Sequence, residues 1–219
     1  MKERVGLFGG TFDPVHCGHI RAAGEVLERF SLHKILFIPS FIPPHKGRAG
    51  IAPAHDRLRM VDLACRGEPR FAASSIEVDA GEKSYSIITL EKIKRAYPGG
   101  WIFFILGVDA FLEIETWRDH ERVLEECRFI VMTRPGYRLD QADLVLRGSL
   151  KEKIHHLSKT EKIGEAQFKS RRIFFLPIRA LDISSTEVRR RIRTGKDIRG
   201  LVPEVVGDYI RSHRLYRGK

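Results

Sequence analysis

The 219-residue chain is 42% hydrophobic and 31% charged, a globular composition that can bury a core and excludes wholesale disorder. Its 39 Lys and Arg against 28 Asp and Glu give a formal charge of +11, which favours polyanionic partners without separating nucleotides from nucleic acid. The longest apolar run, residues 101–106, is far below the roughly 20 residues of a membrane helix, and the opening MKERVGLFGG lacks a signal-peptide core, so the expectation is a cytoplasmic protein with no membrane span.

Short apolar runs alternate with stretches of helical periodicity, the pattern of βαβ units. Residues 5–8 form the first expected strand, and Gly9 and Gly10 lead into a helix whose apolar face is Ile20, Ala23, Leu27 and Phe30. Residues 35–38 are the second strand, stopped by Pro39. After a loop holding Pro43, Pro44 and His45, a helix places Ala54, Leu58, Val61 and Cys65 on one face, and a third strand is expected near residues 70–73. Ser84 opens a helix bearing Leu90, Ile93 and Tyr97, which Gly99 and Gly100 break before strands at 101–106 and 129–132. Segment 147–172 is polar and basic with no strong period, and reads as partly helical and mobile. A last strand at 173–176 leads to a helix opened by a capping box, Ser184 with Glu187, and stopped at Gly195. Pro203 suits the first turn of a closing helix carrying Val206, Tyr209 and Ile210. Strands apolar on both faces need cover on both sides, so the expected fold is one α/β domain over residues 1–219, a mostly parallel sheet sandwiched by helices, with a helical C-terminal part at 184–219.

The run GGTFDPVHCGH, residues 9–19, falls at a strand-to-helix junction, where doubly wound sheets bind ligands. Gly9 and Gly10 let a phosphate approach the backbone, the helix start offers N–H groups and a positive dipole end, and His16 and His19 can donate to phosphate oxygens. The rival reading takes Asp13, His16 and His19 as metal ligands, but Pro14 interrupts helical stacking of Asp13 over His16 and a metal would leave the glycine pair unexplained. In DISSTEVRRRI, residues 182–192, capping accounts for Ser184 alone. Ser185 and Thr186 exceed that need, and Arg189 is placed to reach an anion at the same terminus. Arg190, Arg191 and Arg193 read as a solvated face. Asp109, after strand 101–106, suits either a ribose hydroxyl or a loop cap. Trp117 suits either the core or a wall for a flat ring. Cys17, Cys65 and Cys127 form no CxxC pattern and read as reduced thiols.

GGTFDPVHCGH, PPHK (43–46), SYS (84–86), GVD (107–109), Trp117, RPG (134–136) and DISST with Arg189 occur in the order seen in bacterial nicotinate-mononucleotide adenylyltransferases, and the chain resembles that family over nearly its whole length. The first motif and the ISST segment are shared across the nucleotidylyltransferase superfamily and bear on the reaction, whereas the middle motifs bear on the substrate. The resemblance implies a Rossmann-like, doubly wound, mostly parallel sheet with helices on both faces. It implies transfer of AMP from ATP to nicotinate mononucleotide, giving nicotinate adenine dinucleotide and pyrophosphate on the route to NAD.

The backbone of Gly9, Gly10, Thr11 and Phe12, with His16 and His19, would meet the ATP phosphates, and Gly107 and Asp109 would lie on the adenosine side. Ser185, Thr186 and Arg189 would hold the departing pyrophosphate, and Lys46 would approach the mononucleotide phosphate. Ser84, Tyr85, Ser86, Trp117 and Arg134 would form the pyridine pocket. Catalysis would rest on His16, His19, Lys46 and Arg189, with Mg²⁺ carried by ATP rather than by protein ligands. Serine stands where the third SYS position is more often threonine, GVD replaces the commoner GAD, and 147–172 is longer than usual. The rivals are adenylyl transfer to another phosphate, either phosphopantetheine or FMN, against which Trp117, SYS and RPG speak, or nicotinamide mononucleotide, whose ring Trp117 can stack on as well, and a nucleic-acid-binding module on the basic stretches 151–172 and 189–193, where base stacking is not indicated.

Overall fold

A computed structural model describes residues 2–42, 51–133, 148–158, 160–178 and 182–217. Strand β1 (Arg4–Gly10) leads through a loop to helix α1 (Cys17–Arg29), followed by β2 (Lys34–Pro39), α2 (Ala54–Cys65), β3 (Phe71–Ala73), α3 (Ser86–Ala96) and β4 (Trp101–Gly107). Two short helices, α4 (Val108–Leu112) and α5 (His120–Glu126), precede β5 (Arg128–Thr133). Then come β6 (Ile154–His156), α6 (Glu165–Ser170), β7 (Ile173–Pro177), α7 (Ser185–Arg193) and α8 (Glu204–Ser212).

The strands form one parallel seven-stranded sheet in the order β3-β2-β1-β4-β5-β7-β6, the α/β Rossmann-like class expected from the sequence. Its order reverses at β1, the mark of a doubly wound sheet. Register is set by long apolar runs: Val5 faces Ile102 and Phe8 faces Ile105 across β1 and β4, while Phe104 to Leu106 face Phe129 to Val131 across β4 and β5. Residues 101–106 are buried without alternation, as a central strand covered on both faces requires.

Contacts divide the chain into two units, where the sequence reading has one domain. The first comprises Met1–Phe8, Gly24–Ile35 and Tyr85–Ala180, the second Gly9–Ala23, Leu36–Ser84 and Leu181–Lys219. In the first unit Phe30, Phe103, Phe168 and Phe174 meet with ring centroids 5.0 to 6.3 Å apart. In the second, Phe37 packs on Phe12 and Phe71 at 5.8 and 5.2 Å.

Several local expectations are corrected. The glycine pair does not run straight into a helix: β1 extends to Gly10 and α1 starts only at Cys17. Ser84 does not cap α3, whose N-cap is Tyr85, with no side-chain cap bond. Ser84 Oγ instead accepts from the Phe41 N–H at 3.1 Å. Pro203 is the N-cap of α8 rather than part of its first turn. The described part of 147–172 contains an edge strand and a helix, and Phe168 on that helix is buried in the aromatic core. Arg29 secures the same segment by donating to the carbonyls of Glu161, at 2.9 Å, and Ser158. The buried face of α2 is Arg57, Met60, Val61, Ala64 and Cys65, so of the expected face Val61 and Cys65 are buried, Ala54 and Leu58 are half-buried, and a charged residue, Arg57, is buried beside them. No helix among the described residues is long and apolar enough to cross a membrane.

The Ser184 cap forms as expected, its hydroxyl accepting from the Glu187 N–H at 3.2 Å, and Gly195 follows in the left-handed region at φ 66°. The Glu187 side chain does not complete the capping box. It bonds Arg190 and Arg191, at 2.7 and 2.9 Å, and these bonds, that to Arg190 foremost, pull its carboxyl from 4.5 down to about 2. A carboxyl lowered by folding contributes stability above its unfolded value and loses it as pH falls through the folded one. The melting-temperature gap between the native chain and Glu187→Gln should therefore be fully open at neutral pH and close between pH 4.5 and about 2. A gap independent of pH across that window would show that the arginine pairing contributes nothing.

Candidate active site

In the second unit the motif at 9–19 is built around one buried carboxylate. Asp13, 3% exposed, follows Phe12, whose ring is buried and whose backbone sits in the left-handed region at φ 48°. A bulky residue there costs about 1–3 kcal/mol and persists only where its surroundings hold it. The Phe12 ring meets His19 edge-on at 5.1 Å as well as Phe37. Its side chain is thus committed to packing, leaving only the backbone of Phe12 for a ligand.

His16 and His19 stack with centroids 3.6 Å apart and planes at 26°. The His16 N–H donates to His19 Nδ1 at 3.2 Å, so that nitrogen keeps its lone pair and the neutral ring carries its proton on Nε2. Gly18 gives the stack room: a Cβ there would come 3.0 Å from His16 Nδ1, closer than ordinary contact. Two of the helix-start N–H groups assigned to a ligand are already used, Cys17 N–H donating to Leu201 O at 2.8 Å and His19 N–H to His16 O at 2.9 Å. A Cβ on Gly9 would meet nothing within 4 Å, so packing makes no demand for a glycine there.

The start of α7 bonds directly to this motif. Ser185 Oγ donates to Pro14 O at 3.0 Å, and Arg189 donates through one Nη to Asp13 O at 2.6 Å, with Asp13 Oδ2 at 3.4 Å. Its other Nη lies 3.3 Å from Thr186 Oγ1. The Ser185 hydroxyl is thereby a structural tie, whereas Arg189, with its side chain 23% exposed, keeps a solvent-facing edge. Arg190 and Arg193 are exposed and Arg191 half-buried, the face expected of them.

Three residues of this cluster were not picked out as functional by the sequence: Arg57, Tyr216 and, except as a metal ligand, Asp13. Arg57, 1% exposed, donates to the carbonyls of Ala52, Thr11 and Phe41 at 3.0, 2.7 and 3.1 Å. Burial lowers its pKa and the charge of Asp13 opposes that. Asp13 Oδ1 also accepts from Ala52 N–H at 3.0 Å and Tyr216 Oη at 2.7 Å. With its carboxylate so occupied, Asp13 does not present a ligand set with His16 and His19. Among the described residues, no group of three His, Cys, Asp or Glu side chains is placed to hold a metal ion. The one signal in the sequence was an arginine on the apolar stripe of α2, one turn before Val61.

The first unit carries the remaining expected residues. Gly107 ends β4 and caps α4, and a Cβ on it would collide with Asp109 Oδ1, so glycine is required for that carboxylate to fold back over the helix start. Asp109 is exposed in the first turn of α4. Trp117, half-buried, packs edge-on against Phe104 at 6.1 Å, and the Arg118 guanidinium lies 5.1 Å from the Tyr85 ring centroid. Ser86 is the first residue of α3. Lys46, with Pro43, Pro44 and His45, and Arg134 of the 134–136 motif lie outside the described residues.

The family model described as cytidylyltransferase-like matches residues 7–191. The chain is 42% identical over 217 residues to a probable nicotinate-nucleotide adenylyltransferase of Desulfatibacillum aliphaticivorans, covering 97% of this chain and 99% of the relative. It is 41% identical over 215 residues to one of Rubrobacter xylanophilus, covering 98% and 92%. In fold it is similar to the nicotinic acid mononucleotide adenylyltransferase of Plasmodium falciparum solved in complex with NaAD, with a TM-score of 0.71 at 20% identity over 98% of this chain and 97% of that one. With its paired histidines, its Arg189-bearing helix and near-complete coverage by these relatives, the chain belongs to the cytidylyltransferase-like family and, within it, to the nicotinate-nucleotide adenylyltransferases.

Proposed function

We propose that the chain transfers AMP from ATP to nicotinate mononucleotide in the cytoplasm, forming nicotinate adenine dinucleotide and pyrophosphate. The observation that carries this reading is the junction in the second unit, where Arg189 and Ser185 bond the backbone of Asp13 and Pro14 beside a histidine whose Nε2 is a donor. Arg57 and Arg189 set two positive charges against the one carboxylate of Asp13, and the surplus suits an anion. The open space at Gly9 suits the close approach of a phosphate.

The mononucleotide phosphate is largely dianionic near neutral pH, so its oxygen attacks the α-phosphorus of ATP without a protein base, in line with the departing pyrophosphate. The protein aligns two anions and stabilises charge as it develops. His16 and His19 meet the ATP phosphates with the backbone of Gly9 to Phe12, Arg189 and Thr186 hold the leaving group, and Lys46 approaches the acceptor phosphate. Mg²⁺ arrives on the ATP phosphates as part of the substrate. Asp109 serves the adenosine ribose, and Tyr85, Ser86, Trp117 and Arg134 the pyridine. Pyrophosphate release from MgATP with each candidate acceptor in turn tests the reading, which release without an acceptor, or only with phosphopantetheine, would overturn.

The acid acceptor should exceed nicotinamide mononucleotide at least tenfold in kcat/KM. Helix α3 opens at Tyr85 without a side-chain cap, so its backbone N–H groups and dipole favour a carboxylate over a neutral amide. That preference is worth up to about 2 kcal/mol, against about 1.4 kcal/mol per factor of ten. Ser86→Pro, which removes one N–H while suiting a first helical turn, should reduce the preference more than Ser86→Ala. Equal kcat/KM for the two acceptors would sink the nicotinate assignment and spare adenylyl transfer.

A further inference from the structure

The C-terminal turn reaches back into the first motif, a contact across 203 residues of sequence that the proposed chemistry does not use. After α8 the chain winds through two non-glycine residues in the left-handed region, Arg214 at φ 52° and Tyr216 at φ 63°. Such conformations are uncommon, and two so close together need a local cause. Backbone bonds from Arg214 to Arg211 O and from Leu215 to Ile210 O, at 3.3 and 3.1 Å, fold the turn onto α8. The Tyr216 hydroxyl then donates to Asp13 Oδ1 at 2.7 Å.

Asp13 distributes four contacts. Oδ1 takes the Tyr216 hydroxyl and the Ala52 N–H, Oδ2 faces Arg189, and the backbone oxygen takes the same Arg189 Nη. A carboxylate that is 3% exposed cannot exchange these partners for water, so the direction of Oδ2 depends on what holds Oδ1. Without the hydroxyl, Oδ1 keeps only the Ala52 amide, and the carboxyl can rotate away from Arg189. Burial and the neighbouring Asp13 charge both push the Tyr216 hydroxyl's pKa up, so it stays protonated and a donor.

We infer that Tyr216 is a positioning residue for ATP: by fixing the Asp13 carboxylate, the C-terminal turn sets the direction in which the Arg189 guanidinium is offered to the triphosphate. This rests on the reading of Arg189 as a triphosphate ligand. The charge on Arg189 is fixed by its chemistry, and its aim, held directly by the Asp13 backbone oxygen and Thr186, is completed through Asp13 by a tyrosine 27 residues further on.

Tyr216→Phe removes one oxygen and keeps the ring. KM for ATP should rise about fivefold or more, the scale of one lost hydrogen bond, while KM for nicotinate mononucleotide should move less than twofold. Asp13→Asn, which keeps the shape and removes the charge facing Arg189, should give the same selective loss and serves if Tyr216→Phe fails to fold. The deciding measurement is the double mutant with Arg189→Ala. If Tyr216 acts through Arg189, Tyr216→Phe adds nothing to the ATP defect of Arg189→Ala. A full additional loss in that background, or equal losses for both substrates in Tyr216→Phe alone, would overturn the inference. An Arg189→Ala enzyme with unchanged KM for ATP would instead overturn the reading of Arg189 itself.

Discussion

His19→Ala should lower kcat about 10²-fold, because one preorganised donor to the charge developing in a transition state is typically worth that much. The His16 N–H donates to Nδ1, so the neutral ring carries its proton on Nε2, the atom proposed to donate to a phosphate oxygen, and stacking on His16 with the edge of Phe12 fixes the ring plane. The loss should fall on kcat more than on either KM, since a donor aimed at developing charge contributes little to ground-state binding. The mutant should keep its sheet, because His19 is only half-buried. Circular dichroism with steady-state kinetics decides the matter: turnover within about threefold of the native enzyme would remove His19 from the chemistry.

Arg57→Met should cost about 3 kcal/mol or more of stability, the scale of breaking a buried charge network from one side. Methionine fills most of the volume but strands the carbonyls of Ala52, Thr11 and Phe41 and leaves Asp13 with one fewer opposing charge. For a chain of this size that is roughly a 6–12 °C fall in Tm. Activity should fall beyond what lost stability explains even well below Tm, because the Thr11 carbonyl belongs to the loop assigned to the phosphates. Arg57→Lys keeps the charge but not the three-way geometry and should recover only part of the loss. A Tm within about 2 °C of native for Arg57→Met would show that the carbonyls find other partners.

Residues of local meaning were legible in the sequence. Strands β1, β2, β4, β5 and β7 are apolar on both faces and announce a covered parallel sheet by composition alone. The glycine pair, the two histidines at i and i+3, and the serine-threonine start of α7 are short-range patterns whose chemistry fits one turn of chain. Strand β6 was hidden because two of its three residues are histidines and an edge strand needs only one paired side. The short helices α4 and α5 were hidden because five and seven residues carry too little periodicity to register. Tertiary structure alone decided what Asp13, Arg57 and Tyr216 bond and which groups hold Arg189. Their contacts span 46 residues from Arg57 to Thr11, 176 from Arg189 to Asp13 and 203 from Tyr216 to Asp13. A buried charge needs partners wherever the chain brings them, and no local period encodes a partner from the other end of the sequence.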